Sequence, residues 1–196
     1  MRKFFAALLI ALFGAAPLFA DDVADVKATI VRDIELSIAG DFAARLELYA
    51  SDYLETDSTG LTTNYEQAKW LMLALDGKHP REFLLVLATA HLKGAEIPAE
   101  IMARIDAMTG NPELIKRYET GIPTVVAMIK AEAKLELKTL KFVSVKVDGD
   151  KAVVIAEYDS RDPASDEIKR KIATVSLRKV DGKWLFYRSV IKFMEK

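Results

Sequence analysis

Two Asp-Gly dipeptides, Asp148-Gly149 and Asp181-Gly182, constrain the fold of this chain more than any other feature. Both stand between segments in which apolar and polar residues alternate, and a period of two is typical of β-strands. Asp-Gly accepts the positive φ angles that two-residue hairpin turns require. The region from Leu135 to Phe193 is therefore predicted to form four antiparallel strands, with the polar segment 159–167 as the longer middle connection.

The turns also predict which side chains share a face, because facing residues of a hairpin have a constant index sum. A loop at Asp148-Gly149 makes Val147 face Asp150. The apolar face of this first hairpin is then predicted to comprise Val143, Val145, Val147, Ala152, Val154, Ala156 and Tyr158.

The second hairpin has a loop at Asp181-Gly182, so Leu177 is predicted to face Phe186 and Val175 to face Arg188. One face of this hairpin is then predicted to comprise Ala173, Val175, Leu177, Trp184, Phe186 and Val190. The other face is predicted to include Leu185, Tyr187 and Ile191. The last strand is therefore apolar on both faces, and we expect both to be covered.

The N-terminal half has the spacing of amphipathic helices instead. Apolar residues recur at intervals of three and four from Asp22 to Ala39, at Val23, Val26, Ile30, Ile34 and Ile38. This stripe predicts a helix that ends at Gly40. Asp41 fits the N-cap of a second helix over 41–53, with Phe42, Leu46 and Tyr49 facing inward.

The next segments alternate between strand-like and helix-like composition. Residues 53–65, rich in Thr, Ser and Gly, predict a short strand, a turn and a second strand. Asn64 and Gln67 have the spacing of a capping box, so a third helix is predicted to begin at Asn64 and to end at Gly77. Prolines and glycines then punctuate a block that is predicted to contain four short helices, at 81–93, 98–109, 112–120 and 123–134.

The first 20 residues have the three-part layout of a secretory signal peptide: a basic start, an apolar stretch at 4–13 and small residues before an acidic pair. We expect cleavage after Ala20, with Ala16 as the alternative. The apolar stretch is shorter than the roughly 20 residues that span a bilayer, and no later segment matches it, so the mature chain is predicted not to span a membrane. The expected compartment is the periplasm, with the extracellular space as the alternative.

The composition narrows the class of protein further. The chain has no cysteine, so disulfides and lipid attachment through cysteine are both excluded. Removal of Arg2 and Lys3 leaves 26 basic residues against 29 acidic ones, a net charge of −3, which argues against a nucleic-acid binder. Residues 21–196 are enough for a single domain that holds itself together by its core.

The order of these elements resembles the nuclear transport factor 2-like superfamily, the cone-shaped fold shared by ketosteroid isomerases and polyketide cyclases. The resemblance rests on "GDFAARLELYASDY", on "NYEQ", and on "VDGDKAVVIAEY" and "VDGKWLFYRSV" near the end. It covers about Asp22 to Gly77 and Leu135 to Phe193, and the helical block at about 79–133 is an insertion.

The resemblance implies an α+β fold in which the N-terminal helices pack on a curved antiparallel sheet that encloses a pocket. It also implies a homodimer through the outside of the sheet, unless the insertion covers that face. The competing architecture is an unrelated two-part α+β protein with an N-terminal helical bundle.

Isomerases and cyclases of this superfamily use an Asp or His base with Tyr or Asp donors, so the resemblance makes Asp57 the candidate catalytic residue. The alternative places Asp57 in a solvent-exposed turn, because Asp and Ser are turn-formers. His79 and His91 both lie in the insertion, twelve residues apart and without a carboxylate pattern, so no metal site is predicted. No cofactor motif is present either.

The leading hypothesis is an exported, non-enzymatic protein that binds a small apolar ligand or a protein partner in or beside the cone. The aromatic residues predicted to contact a ligand are Tyr53, Tyr65, Trp70, Tyr158 and Trp184. One alternative is an isomerase or cyclase that uses Asp57. Another is an envelope structural or chaperone-like protein recognised through its insertion.

Overall fold

The computed structural model describes residues 16–92, 96–162 and 165–194. Most of the predicted signal peptide, residues 1–15, lies outside the described residues, and cleavage after Ala20 stays a prediction. The first described helix contains this position and continues to Ala39. Cleavage there would leave Asp22 in the mature chain, and its carboxylate contacts the Lys179 ammonium at 2.6 Å.

The described residues form six helices and one sheet of six strands. The helices are α1 (Ala16–Ala39), α2 (Phe42–Leu46), α3 (Tyr65–Ala74), α4 (Pro80–His91), α5 (Ala99–Met108) and α6 (Pro112–Thr139). The strands are β1 (Tyr49–Thr56), β2 (Thr62–Asn64), β3 (Lys141–Asp148), β4 (Lys151–Arg161), β5 (Ile168–Val180) and β6 (Lys183–Phe193). The sheet order is β2-β1-β6-β5-β4-β3, and the pairing is antiparallel except between β1 and β6.

This arrangement confirms the predicted α+β class, with N-terminal helices on a curved sheet and a four-stranded meander at the end. Helix α1 lies beside α6, and both contribute to a core formed against one face of the sheet. The most deeply buried side chains of that core include Val26, Phe42, Ala152, Val154 and Leu177. The apolar stripe predicted for α1 is thus the surface that closes the cone.

The second helix is shorter than predicted. Asp41 caps it as expected, since its carboxylate accepts a hydrogen bond from the Ala44 backbone N–H at 3.1 Å. Helix α2 nevertheless ends at Leu46, and Tyr49 begins β1 instead of continuing the helix. Tyr49 pairs with Phe186 of β6, so a contact between distant parts of the chain overrides the local helical pattern.

The strand, turn and strand predicted for 53–65 are present as β1 and β2, although β1 begins earlier. The capping box of α3 is confirmed as well. The Gln67 N–H donates to Asn64 Oδ1 at 3.0 Å, and the Asn64 N–H donates to Gln67 Oε1 at 2.9 Å. This reciprocal pair fixes where the chain turns from β2 into α3.

The two helices predicted at 112–120 and 123–134 are one continuous helix, α6, with Pro123 in its interior. An interior proline removes a backbone hydrogen bond and usually breaks a helix. Here the flanking turns are held by packing, because Tyr118 and Ile122 are buried and the Tyr118 hydroxyl donates to the Ala74 carbonyl oxygen at 2.5 Å. Helix α6 also extends to Thr139, so the strand region begins at Lys141 and not at Leu135.

The insertion has a small core of its own beside α3. Leu84, Leu85 and Ile105 are buried there, and Trp70 of α3 packs against them. Helix α4 packs mainly on α3, and α5 packs on α4. The described part of the insertion therefore extends the helical layer and does not cover the outer face of the sheet.

The second hairpin confirms the predicted turn. Asp181 and Gly182 have φ angles of 49° and 78°, and Leu177 pairs with Phe186. Trp184 and Phe186 are buried on the face of Val175 and Leu177, as predicted.

A bulge at Tyr187 changes the rest of that register. Val175 pairs with Ser189 and not with Arg188, because the bulge adds one residue to β6. Ser189 and Ile191 consequently face the core, whereas Val190 faces outward. The predicted faces of Val190 and Ile191 are therefore both wrong.

The first hairpin has its loop one residue later than predicted, at Gly149-Asp150, and Val147 pairs with Ala152. The index sum of facing residues increases by two. Because side chains alternate between the two faces with a period of two, the same side chains stay on the inner face. A second irregularity lies between Phe142 and Ser144. It turns Phe142 toward the core and leaves Val143 48% exposed, so the predicted inward position of Val143 is wrong.

Candidate functional site

A cavity of about 190 Å³ lies inside the cone, between the helices and the concave face of the sheet. Its apolar lining comprises Ile30, Ile34, Leu140, Ala156, Ala173, Val175, Phe186 and Ile191. Its polar lining comprises Asp33, Arg45, Tyr49, Tyr53, Glu55, Glu136, Tyr158 and Ser189. Pockets for drug-sized ligands begin at roughly 300 Å³, so this cavity suits a ligand smaller than a typical drug.

One end of the cavity is fixed by an ion pair between helices α1 and α2. Arg45 donates from Nε to Asp33 Oδ1 at 2.8 Å and from Nη2 to Asp33 Oδ2 at 3.0 Å. The Tyr49 hydroxyl donates to Asp33 Oδ1 at 3.0 Å and accepts from Arg45 Nη2 at 3.0 Å. Nε and Nη2 of the guanidinium are therefore engaged with one carboxylate and one hydroxyl.

Aromatic rings form the adjoining wall. Tyr49 and Tyr53 meet nearly perpendicularly, with ring centroids 4.6 Å apart, and Tyr49 stacks on Phe186 at 5.3 Å. The Tyr53 hydroxyl donates to Glu55 Oε2 at 2.6 Å. Burial raises the pKa of Glu55, while the hydrogen bond from Tyr53 and the charge of Arg45 oppose that shift.

Glu136 and Tyr158 face the cavity from α6 and β4, and neither side chain makes a hydrogen bond or ion pair with any residue the structure describes. Burial, followed by the carboxylate of Asp33, raises the pKa of Glu136 to about 7, although the charges of Arg45 and Lys171 oppose the shift. Burial also raises the pKa of Tyr158, so its hydroxyl stays protonated and can donate. Near neutral pH, the Glu136 carboxyl can therefore either accept or release a proton.

The predicted ligand-contacting residues are only partly brought together. Tyr53 and Tyr158 line the cavity. Tyr65 packs against the outside of the main core, and Trp70 packs against the insertion core. Trp184 is buried in the main core and borders a separate open groove beside α1 and the β5–β6 turn.

Asp57 lies in the turn between β1 and β2, outside the cavity. Its Oδ1 accepts hydrogen bonds from the backbone N–H groups of Thr59 at 2.8 Å and of Leu61 at 3.0 Å. These contacts are those of a turn residue. Asp57 does not line the cavity, so a carboxylate base inside the cone would have to be Asp33, Glu55 or Glu136.

Neither histidine lines the cavity. His79 is at the N-cap position of α4 and His91 at its last residue. Within the described ranges, no group of three metal-ligating side chains lies close enough together to hold a metal ion.

The four charged residues of the cavity were not among the predicted site residues: Asp33, Arg45, Glu55 and Glu136. Two of them have a signal in the sequence, because each is charged and sits on an apolar helical stripe. Asp33 lies between Ile30 and Ile34, and Glu136 lies three residues after the buried Ala133. A charge at such a position faces the core and needs a partner or a polar cavity.

The sequence matches no protein-family model and no curated protein. Solved structures do share its fold. An NTF2-like protein with a cystatin-like fold from Novosphingobium aromaticivorans is 15% identical, with a TM-score of 0.51 over 93% of this chain and 88% of that one.

Two further solved structures are less similar. An NTF2-like protein of unknown function from Silicibacter pomeroyi is 13% identical, with a TM-score of 0.48 over 90% of this chain and 98% of that one. A ketosteroid isomerase-like protein from Erwinia carotovora atroseptica is 11% identical, with a TM-score of 0.44 over 89% of this chain and 98% of that one.

The topology and the first of these similarities define the class: the chain has a nuclear transport factor 2-like fold, as the sequence predicted. At these identities the likeness concerns the fold alone. None of the helices in the described ranges is both long and apolar enough to span a bilayer.

Proposed function

We propose that this chain is an exported, non-enzymatic protein that binds a small molecule inside the cone. The observation that carries the proposal is the pair of side chains, Glu136 and Tyr158, that face the cavity without a partner in the described protein. Both groups face a space large enough for water, and a ligand that hydrogen-bonds to both takes the place of solvent there. Export rests on the layout of residues 1–20.

The cavity also suggests the shape of the ligand. A water molecule occupies about 30 Å³ of liquid, so 190 Å³ is the volume of about six waters. Apolar and polar side chains contribute equally to the lining, eight of each. We therefore expect a compact ligand with an apolar body and a polar group, in place of the purely apolar ligand that the sequence suggested.

A cavity-filling substitution tests this proposal. We expect one-ring fragments to perturb the NMR signals of the Ile30, Val175 and Ile191 methyl groups, which line the cavity. Ala173→Leu should abolish these perturbations because the added methyl groups occupy the space. The control is Ala131→Leu, since Ala131 is exposed on α6 and does not line the cavity. Binding that survives Ala173→Leu, or perturbations at surface methyl groups alone, would contradict a ligand site in the cone.

A second copy of this chain is proposed to cover the outer face of the sheet. Ile155, Ile172, Val190 and Tyr187 lie there, next to Val153, which is 41% exposed. In the described structure the helices contribute to the cores on the other side. Ion pairs such as Asp159–Arg170 and Asp52–Arg178 border this apolar strip, which is the pattern of an interface with a polar rim. A homodimer with a two-fold axis can form through this one surface, because both copies contribute the same face to the interface.

Sedimentation velocity tests the homodimer. We expect the wild-type protein to sediment as a dimer and Val153→Glu to sediment as a monomer, because the carboxylate would be buried against its own copy. Val125→Glu is the matched control, since Val125 is 39% exposed but lies on α6. A wild-type protein that stays monomeric at every concentration would overturn the dimer. An envelope structural or chaperone-like role through the insertion stays a prediction.

A further inference from the structure

The cavity has more acidic groups than the protein neutralises. Asp33, Glu55 and Glu136 line it, and Arg45 is the one basic side chain among the described lining residues. Arg45 is committed to Asp33 in a two-point ion pair. Glu55 accepts a hydrogen bond from Tyr53, which is neutral, and Glu136 has no bonded partner in the described chain. Two carboxyl groups are therefore left without a paired positive charge.

The walls beside these carboxyl groups are aromatic. The rings of Tyr49, Tyr53, Tyr158 and Phe186 all border the space, and the perpendicular contact of Tyr49 with Tyr53 forms a corner. The face of an aromatic ring attracts a cation through its quadrupole, most strongly where water is excluded. Tyr158 is only 7% exposed and its hydroxyl, facing the cavity, has no hydrogen-bond partner among the described residues.

We propose that the ligand of the cone is a small organic cation, an amine or quaternary ammonium group on a compact apolar body. This inference rests on the proposed function, because it specifies the ligand of the same cavity. The positive group lies between Glu136 and Glu55, and the apolar body lies against Ile30, Val175 and Phe186. An anionic ligand is disfavoured, because Asp33 occupies the Nε–Nη2 fork of Arg45 and three carboxyl groups line the space.

Binding of a cation requires Glu136 to be ionised, so affinity depends on pH. The charged and titratable groups that act on Glu136 are Asp33 of α1, Arg45 of α2, Glu55 of β1 and Lys171 of β5. Tyr158 of β4 also lies close enough for its own pKa to respond to Glu136. The affinity for a cation should rise as the pH increases through about 7, the pKa of Glu136, and level off above it.

Three probes that share one ring and differ in charge test the inference: benzylamine, benzyl alcohol and benzoate. At pH 8 we expect calorimetry to give a dissociation constant for benzylamine at least about tenfold lower than for benzyl alcohol, and no binding of benzoate. Glu136→Gln should weaken benzylamine binding by about tenfold or more. The control is Glu132→Gln, one turn earlier on α6, where the carboxylate bonds to the backbone of Arg161 and lies outside the cavity.

The outcomes separate this inference from the proposed function. If benzyl alcohol or benzoate binds as tightly as benzylamine and perturbs the Ile30 and Val175 methyl groups, the ligand site stands. The proposal that its ligand is a cation is then wrong. If none of the three probes perturbs those methyl groups, both proposals are overturned. If Glu132→Gln weakens benzylamine binding as much as Glu136→Gln does, the assigned role of Glu136 is wrong.

Discussion

Arg45→Met is expected to lower the free energy of unfolding by about 3–5 kcal/mol, because removing one member of a buried ion pair leaves the other charge unpaired. Asp33 has 14% of its side chain exposed and would lose both charge-assisted hydrogen bonds. Burial alone would lower the pKa of Arg45, but Asp33 raises it well above its usual value, so the guanidinium stays charged. Urea denaturation at pH 7 measures the effect.

Two further variants make this result interpretable. Asp33→Asn combined with Arg45→Met should recover part of the lost free energy, because no unpaired charge remains at that end of the cavity. Arg117→Met is the control, since its pair with Glu113 is exposed and such pairs contribute about 0–1 kcal/mol. An Arg45→Met protein that loses no more stability than Arg117→Met would show that the ion pair does not hold the cone together.

The second large effect is a change in how stability depends on pH. The pKa of Glu136 is raised from 4.5 to about 7 in the folded protein, so the folded state keeps this proton over a range in which the unfolded chain has released it. The contribution of Glu136 is therefore fully present below about pH 4.5 and is lost as the pH rises through about 7. A shift of this size corresponds to about 3 kcal/mol, and partial contact with water reduces this to about 2–3 kcal/mol.

Glu136→Gln should remove that dependence, because the amide resembles the protonated carboxyl and cannot ionise. The free energy of unfolding of the variant minus that of the wild type should be about 2–3 kcal/mol greater at pH 8 than at pH 4. The difference between the two proteins cancels the titration of groups that the substitution does not touch. Chemical denaturation at several pH values measures it, with Glu132→Gln alongside. Parallel pH profiles for Glu136→Gln and the wild type would contradict a buried carboxyl.

Local chemistry explains why much of the fold could be predicted. The Asp181-Gly182 turn, the Asp41 cap and the Asn64–Gln67 capping box depend on residues within a few positions of each other, and all three are present. The bulge at Tyr187 depends on how β6 meets β5 and β1 at once, and no local pattern encodes it. The continuation of α6 through Pro123 likewise depends on packing by Tyr118 against α3.

The site was harder to predict because it combines residues from seven separate helices and strands. Tyr53 and Tyr158 could be predicted as buried aromatic residues of the sheet, whereas Asp57 was chosen for its nearness in the sequence to Tyr53 and Tyr65. Glu136 was missed because the strand region was expected to begin at Leu135. Its side chain reaches the cavity only because α6 continues to Thr139.

The most direct test of the central claim is a ¹³C NMR titration of the Glu136 carboxyl in glutamate-labelled protein, with Glu136→Gln used to assign the signal. The structure predicts a midpoint near pH 7 in the free protein, because the carboxyl is buried beside Asp33 without a bonded partner in the described chain. Saturating benzylamine should move the midpoint down toward the ordinary value of 4.5. A midpoint near 4.5 in the free protein would contradict the account, since it would mean that the cone leaves no uncompensated acid for a ligand.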